Sequence, residues 1–154
     1  MTPVETIIEA IKAGDQEKVG QLLKENPELA GARSAQGESA ILMAVYRGRS
    51  EILEMVLAAN PETDIFEASA AGQLGRVKSL AAADPASVNL FSRDGFTPLH
   101  SAAHNGQMEM VELLLNHGAG VHARSEEGLT PLRLALDRGH ESVAERLRRQ
   151  GAVE

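Results

Sequence analysis

The chain has no cysteine and no tryptophan, and aromatic residues make up only 3% of its 154 positions, as three Phe and one Tyr. Without cysteine there can be no disulfide framework, no thiolate metal site and no cysteine nucleophile. A reducing compartment fits that composition. With so few aromatics the core must be assembled from Ala, Leu, Ile, Val and Met, which favours thin, closely packed helices. No run approaches the roughly 18 apolar residues of a membrane span. The opening MTPVETIIEAIKAGDQEKVG lacks the basic segment and apolar stretch of a secretory signal. A cytoplasmic protein with no membrane partner is expected. Positive charge is also scarce: 15 Lys and Arg stand against 22 Asp and Glu, a net charge of −7. That balance argues against nucleic acid as a partner. The exception is RGHESVAERLRRQ, with Arg138, Arg146, Arg148 and Arg149. Basic residues in a last helical turn suit the helix dipole.

Glycine, by contrast, is plentiful and regularly placed. Gly14, Gly48, Gly72, Gly106 and Gly139 each follow a short apolar stretch, at spacings of 34, 24, 34 and 33. The short interval belongs to a longer period. Gly14 to Gly72, Pro27 to Pro85, Gly37 to Gly95 and Gly48 to Gly106 are all 58 apart. The first four units are therefore two copies of a long-short pair, and a fifth unit follows. The internal grammar is clearest in TPLHSAAHNGQMEMVELLLNHG. Thr97 is a helix cap and Pro98 a first helical residue. Leu99, Ala102 and Ala103 share one face, and Gly106 is a left-handed stop between two helices. The spacing predicts a second helix with Met108, Val111, Leu114 and Leu115 inward, ended by Gly118. A turn at Arg93-Asp94-Gly95 precedes the unit. One such helix pair cannot bury its apolar faces alone, whereas a stack of them can.

DGFTPLHSAAHNGQMEMVELLLNHGAGV resembles an ankyrin repeat, whose marks are T-P-L-H-x-A, a mid-repeat glycine and a closing Gly-Ala. EGLTPLRLALDRGHESVAERLRRQGA is a second clear copy. The stretches around Gly14, Gly48 and Gly72 are weaker copies in register. The resemblance implies an all-α fold: an ankyrin-repeat solenoid of about five stacked helix-turn-helix units with short β-turn fingers. Residues 1–154 would form a single domain, with units at about 1–33, 34–60, 61–91, 92–124 and 125–154. A small, stand-alone member of bacterial type is expected. Units one and three extend their second helix or its exit through Asn26-Pro27 and Asp84-Pro85. The 24-residue interval implies that the turn between units two and three is missing. Gly120 and His122 stand where the family usually has Asp and Asn, which puts the hydrogen bonding of that turn in question.

His100 and His104, four apart on one helix, raise the alternative of a metal-dependent hydrolase. Tetrahedral zinc wants three or four convergent ligands, and His117 and His122 fall in the exit loop. The resemblance instead gives His100 a structural role, hydrogen bonding to the turn backbone of a neighbouring unit, and gives His140 a structural role too. Leu42 and Arg133 replace that histidine in other units. No phosphate-binding loop, nucleophile elbow or triad is present, so no catalytic residue, metal or cofactor is assigned. The resemblance implies a non-enzymatic, monomeric module that binds another protein through its concave face. Matching positions puts Met43, Tyr46, Arg47, Phe96, Ser101, His104, Asn105, Leu134, Asp137 and Arg138 on that face. Glu67 and Ala70 come from unit three, and Glu38, Arg93, Asp94, Glu126, Glu127 and Leu129 from the turns. Phe96 has an alternative as a packing partner of Leu129, and Asp137 as an ion-pair partner of Arg138. A structural scaffold without a specific partner is the remaining alternative.

Overall fold

Caps decide where the helices begin. The computed structural model describes residues 1–154, and its regular structure is helical apart from one isolated antiparallel bridge between Arg33 and Ser39. The chain divides into two compact units, Met1–Thr63 and Asp64–Glu154. In the first, α1 (Pro3–Ala13) and α2 (Gln16–Glu25) form one antiparallel pair, and α3 (Ala40–Tyr46) and α4 (Ser50–Ala58) form the next. The second holds α5 (Ile65–Ala70), α6 (Leu74–Ala83), α7 (Pro98–His104), α8 (Met108–Asn116), α9 (Pro131–Asp137) and α10 (Glu141–Arg149).

Thr2, Ser39, Asp64, Thr97 and Thr130 each accept a backbone N–H three residues on, the bond that starts their helices. The first helix of each pair ends just before a glycine. Gly106, at φ +67°, turns the chain from α7 into α8 in a conformation that L side chains rarely adopt. Between α4 and α5 there is no finger. Asn60 takes the left-handed position at φ +56° instead of a glycine, and Pro61 follows.

The second helices of the long copies do not simply run on. Each breaks at a cap, Asn26 or Asp84, and a 3-10 helix follows, Pro27–Gly31 or Pro85–Asn89. The two caps have almost the same backbone angles, φ −145° and ψ 92° against φ −144° and ψ 92°. The 58-residue period is thus a conformational repeat as well as a sequence repeat. It fails upstream of the glycines, because α1 has 11 residues and α5 has 6.

In the second unit α5, α7 and α9 pack side by side as one layer, with α6, α8 and α10 as the other. The core between them is built from Leu99, Val111, Leu114, Leu132 and Leu147, with Ala68, Ala102, Ala103, Ala135 and Ala144 at the closest approaches. On α8 the inward residues are Met110, Val111, Leu114 and Leu115, whereas Met108 is only half-buried. Met108 is the first residue of the helix, so its side chain lies at the open edge of the layer rather than beneath it. In the first unit Ile7, Ile8, Ile11, Ile41 and Ile52 are the largest side chains buried completely.

Candidate functional site

His100 is completely buried at the third position of α7. The Thr97 backbone N–H donates to its Nδ1 at 3.1 Å, and the Thr97 hydroxyl lies 2.8 Å from the same nitrogen. Nδ1 must therefore be the unprotonated acceptor. Nε2 then carries the hydrogen and donates to the Leu129 carbonyl at 2.7 Å. One imidazole closes the start of α7 and ties it to the turn ahead of α9. Burial holds His100 below the usual histidine pKa, with the Leu129 carbonyl pulling the other way. Both ring nitrogens are committed, so His100 is not a metal ligand. Phe96 stands edge-on to this ring, with centroids 5.7 Å apart and planes at 69°. Its aromatic partner is thus His100, and Leu129 contributes its carbonyl to the same assembly.

The other histidines are not gathered around it. His104 Nδ1 pairs with Asn105 Oδ1 at 3.3 Å, and His117 Nδ1 donates to the Leu113 carbonyl at 2.9 Å. No three His, Asp or Glu side chains converge on a point where a metal ion could be held. Dialysis against zinc followed by metal analysis is expected to leave no stoichiometric metal on the protein. Retained zinc that disappears in His100→Ala would contradict the hydrogen-bond assignment.

The ends of the first helices carry the sequence-predicted binding residues. In the first unit Met43 is half-buried, while Tyr46 is 62% exposed and Arg47 is exposed beside it. In the second unit Ser101 and His104 on α7, Asn105 at its C-cap and Leu134 on α9 are half-buried, and Asp137 and Arg138 are exposed. The two helices that carry or adjoin these six residues, α7 and α9, pack against one another. Asp137 pairs with Arg133 one turn back, at 3.0 Å, and not with Arg138.

Glu67 and Ala70 do not belong to an exposed set, since they are 1% and 3% exposed. The reason is helix length. From cap to stop glycine, Asp64 to Gly72, α5 is one residue shorter than α7 is from Thr97 to Gly106. Glu67 is thereby drawn into the capping position that His100 occupies in α7. Its carboxylate accepts the Asp64 N–H at 3.1 Å while Asp64 accepts the Glu67 N–H at 2.8 Å.

After three of the stop glycines, Gly48, Gly106 and Gly139, the next residue reaches back to the preceding helix pair. Arg49 Nη2 donates to the Lys12 carbonyl at 2.7 Å, Gln107 Nε2 to the Ala70 carbonyl at 3.0 Å, and His140 Nε2 to the His104 carbonyl at 3.0 Å. These carbonyls lie in the last turns of α1, α5 and α7, where no intrahelical donor remains. His140 bears on Gly106 so closely that a Cβ there would stand 2.6 Å from its Nδ1.

Three further features had no motif to announce them. Asn89 clamps the loop after α8: its Nδ2 donates to the Gly118 carbonyl at 3.0 Å, and its Oδ1 accepts the Gly120 N–H at 2.8 Å. This supplies the bonding that Gly120 cannot provide for itself. Leu90 and Phe91 are 49% and 54% exposed. Leu74, Met108 and Leu113 line an open groove of about 450 Å³ between α6 and α8.

Residues 65–153 match a family model described as "Ankyrin repeats (3 copies)". Among curated proteins, alpha-latrocrustotoxin-Lt1a of Latrodectus tredecimguttatus is 32% identical over 114 residues, 69% of this chain and 8% of the toxin. Ankyrin repeat and SAM domain-containing protein 6 of Mus musculus is 39% identical over 77 residues, 46% of this chain and 9% of that protein. Ankyrin repeat domain-containing protein 49 of Bos taurus is 34% identical over 73 residues, 47% of this chain and 31% of that one. The chain thus spans less than a third of the length of each of these relatives.

Proposed function

Because the chain belongs to the ankyrin-repeat family, we propose that it is a non-enzymatic module that binds another protein through the ends of its first helices. Ankyrin repeats generally mediate protein–protein interaction and are typically without enzymatic activity. The observation that carries the finer reading is Tyr46. It is the only tyrosine, it is 62% exposed at the last position of α3, and Arg47 adjoins it. Tyr and Arg are the side chains that most often anchor interfaces. In this reading the second unit contributes Ser101, His104, Asn105, Leu134, Asp137 and Arg138, together with Phe96. Short, doubly capped helices hold these side chains in place, which limits the ordering cost of binding.

The division of 1–154 into units at about 1–33, 34–60, 61–91, 92–124 and 125–154 is part of the proposal. It is supported by one helix pair falling within each span. So is action as a monomer in a cytoplasmic setting, where the absence of cysteine fits a reducing compartment.

The test is a titration with a partner purified from the native host. Tyr46→Ala is expected to cost about 2 kcal/mol of binding, roughly thirtyfold, as a central anchor does. Glu54→Ala, on the outer helix α4, is expected to change little. Retained affinity in Tyr46→Ala and Arg47→Ala, with loss in Glu54→Ala, would overturn the assignment.

A further inference from the structure

The outer layer of the second unit is not closed everywhere. Between α6 and α8 lies the groove of about 450 Å³, floored by Leu74, Met108 and Leu113, with Lys78 on one wall, Glu109 on the other and His117 at its end. The 58-residue repeat provides an internal comparison, because Leu74 and Met108 correspond to Gln16 and Ser50 in the first unit. There Gln16 Nε2 donates to Glu51 Oε2 at 3.3 Å, so the matching space is bridged by a polar contact. Met55 also fills it, its Cε lying 3.1 Å from where a Cβ on Gly20 would stand. In the second unit Lys78 replaces Gly20 and Leu113 replaces Met55. Lys78 is exposed, and Leu113 is a shorter side chain than Met55, so the space stays open. The next outer pair, α8 and α10, is bridged by the Arg146–Glu112 ion pair. This copy of the repeat is apolar in the groove, and three half-exposed aliphatic side chains stand where bridging contacts close the neighbouring positions.

The charges on its two walls define the occupant. Lys78 on α6 and Glu109 on α8 are both exposed, and Glu112 is held by Arg146. We propose that this groove docks an amphipathic helix of a partner protein, with an aliphatic stripe flanked by basic residues on one side and acidic residues on the other. Stripe residues at i, i+3 or i+4 and i+7 would sit over Leu74, Met108 and Leu113, as in other helix-in-groove complexes. The basic flank would face Glu109 and the acidic flank Lys78. This surface lies on the outer helices and is separate from the first-helix ends.

Three fluorescein-labelled helical peptides of about 18 residues, enough for roughly five turns, test it by anisotropy on the whole chain. All share a Leu stripe; one has mixed Lys and Glu flanks, one Lys on both sides and one Glu on both. The mixed peptide is expected to bind wild type most tightly. Glu109→Lys should shift preference to the all-Glu peptide, and Lys78→Glu to the all-Lys peptide. Leu74→Gln with Met108→Ser, the residues of the first unit, should weaken the mixed peptide about tenfold or more, as loss of an interface core does. The two charge variants alter exposed positions only and keep the test valid if that double variant melts early. Equal affinity for all three peptides, an unshifted preference in the charge variants, or unchanged binding by a folded double variant would overturn the proposal. So would sedimentation showing a dimer that Leu74→Gln abolishes, since the occupant would then be a second copy.

Discussion

Gly106→Ala is expected to lower unfolding free energy by about 2–3 kcal/mol, whereas Gly139→Ala loses only about 1 kcal/mol. Both glycines have positive φ, +67° and +76°, so each alanine carries the cost of a left-handed L residue. They differ in what stands over them. A Cβ on Gly139 meets nothing within 4 Å, while one on Gly106 meets His140 Nδ1 at 2.6 Å, Cε1 at 2.7 Å and Cγ at 2.9 Å. His140 cannot retreat and keep its 3.0 Å bond to the His104 carbonyl. Denaturant unfolding of the two variants measures the difference, and a double-mutant cycle locates it. In a His140→Ala background the cost of Gly106→Ala should fall to that of Gly139→Ala. Equal losses for the two glycines in the wild-type background would show that the imidazole yields freely and that the contact has no energetic role.

The parts of this fold written in local chemistry were readable from the chain. Thr97-Pro98 and Thr130-Pro131 cap and start helices whatever surrounds them, and the stop glycines report a backbone angle that other residues avoid. Contacts between helix pairs were harder to read. Arg49, Gln107 and His140 do the same work, but they share position and reach rather than residue type, so no motif marks them. Their place one residue after each stop glycine was the available signal. Counting back from Gly72 puts Glu67 on an open face, whereas counting forward from Asp64 puts it in the cap, where Asp-x-x-Glu is a visible capping pattern. Where the two registers disagreed by one residue, the cap decided burial. The groove between α6 and α8 was invisible to periodicity, because Leu74 and Met108 fit an amphipathic helix equally well as core or as surface. Only comparison with Gln16 and Ser50 separates them.

His100→Leu is expected to cost about 3 kcal/mol near neutral pH, by leaving the Leu129 carbonyl without its donor and removing half of the α7 cap. Its larger interest lies in how that loss depends on pH. In the unfolded chain His100 would titrate near the ordinary histidine value of about 6.5. In the folded protein its pKa is lowered, chiefly by burial. A proton on Nδ1 would also face the Thr97 N–H that now donates to it. Above about pH 6.5 neither state binds the proton, and the full contribution of His100 is present. As pH falls below that value the unfolded state takes up a proton that the folded state refuses. Stability then declines until the lowered folded pKa is reached, with a slope of at most about 1.4 kcal/mol per pH unit for one group. His104, His117, His122 and His140 remain in both proteins, so subtracting the two pH profiles leaves the His100 contribution. Wild type should converge on His100→Leu between pH 7.5 and the onset of carboxylate titration, as measured by urea midpoints. Parallel profiles would mean that His100 keeps its ordinary pKa in the fold, and the Nδ1 acceptor assignment would fall with it.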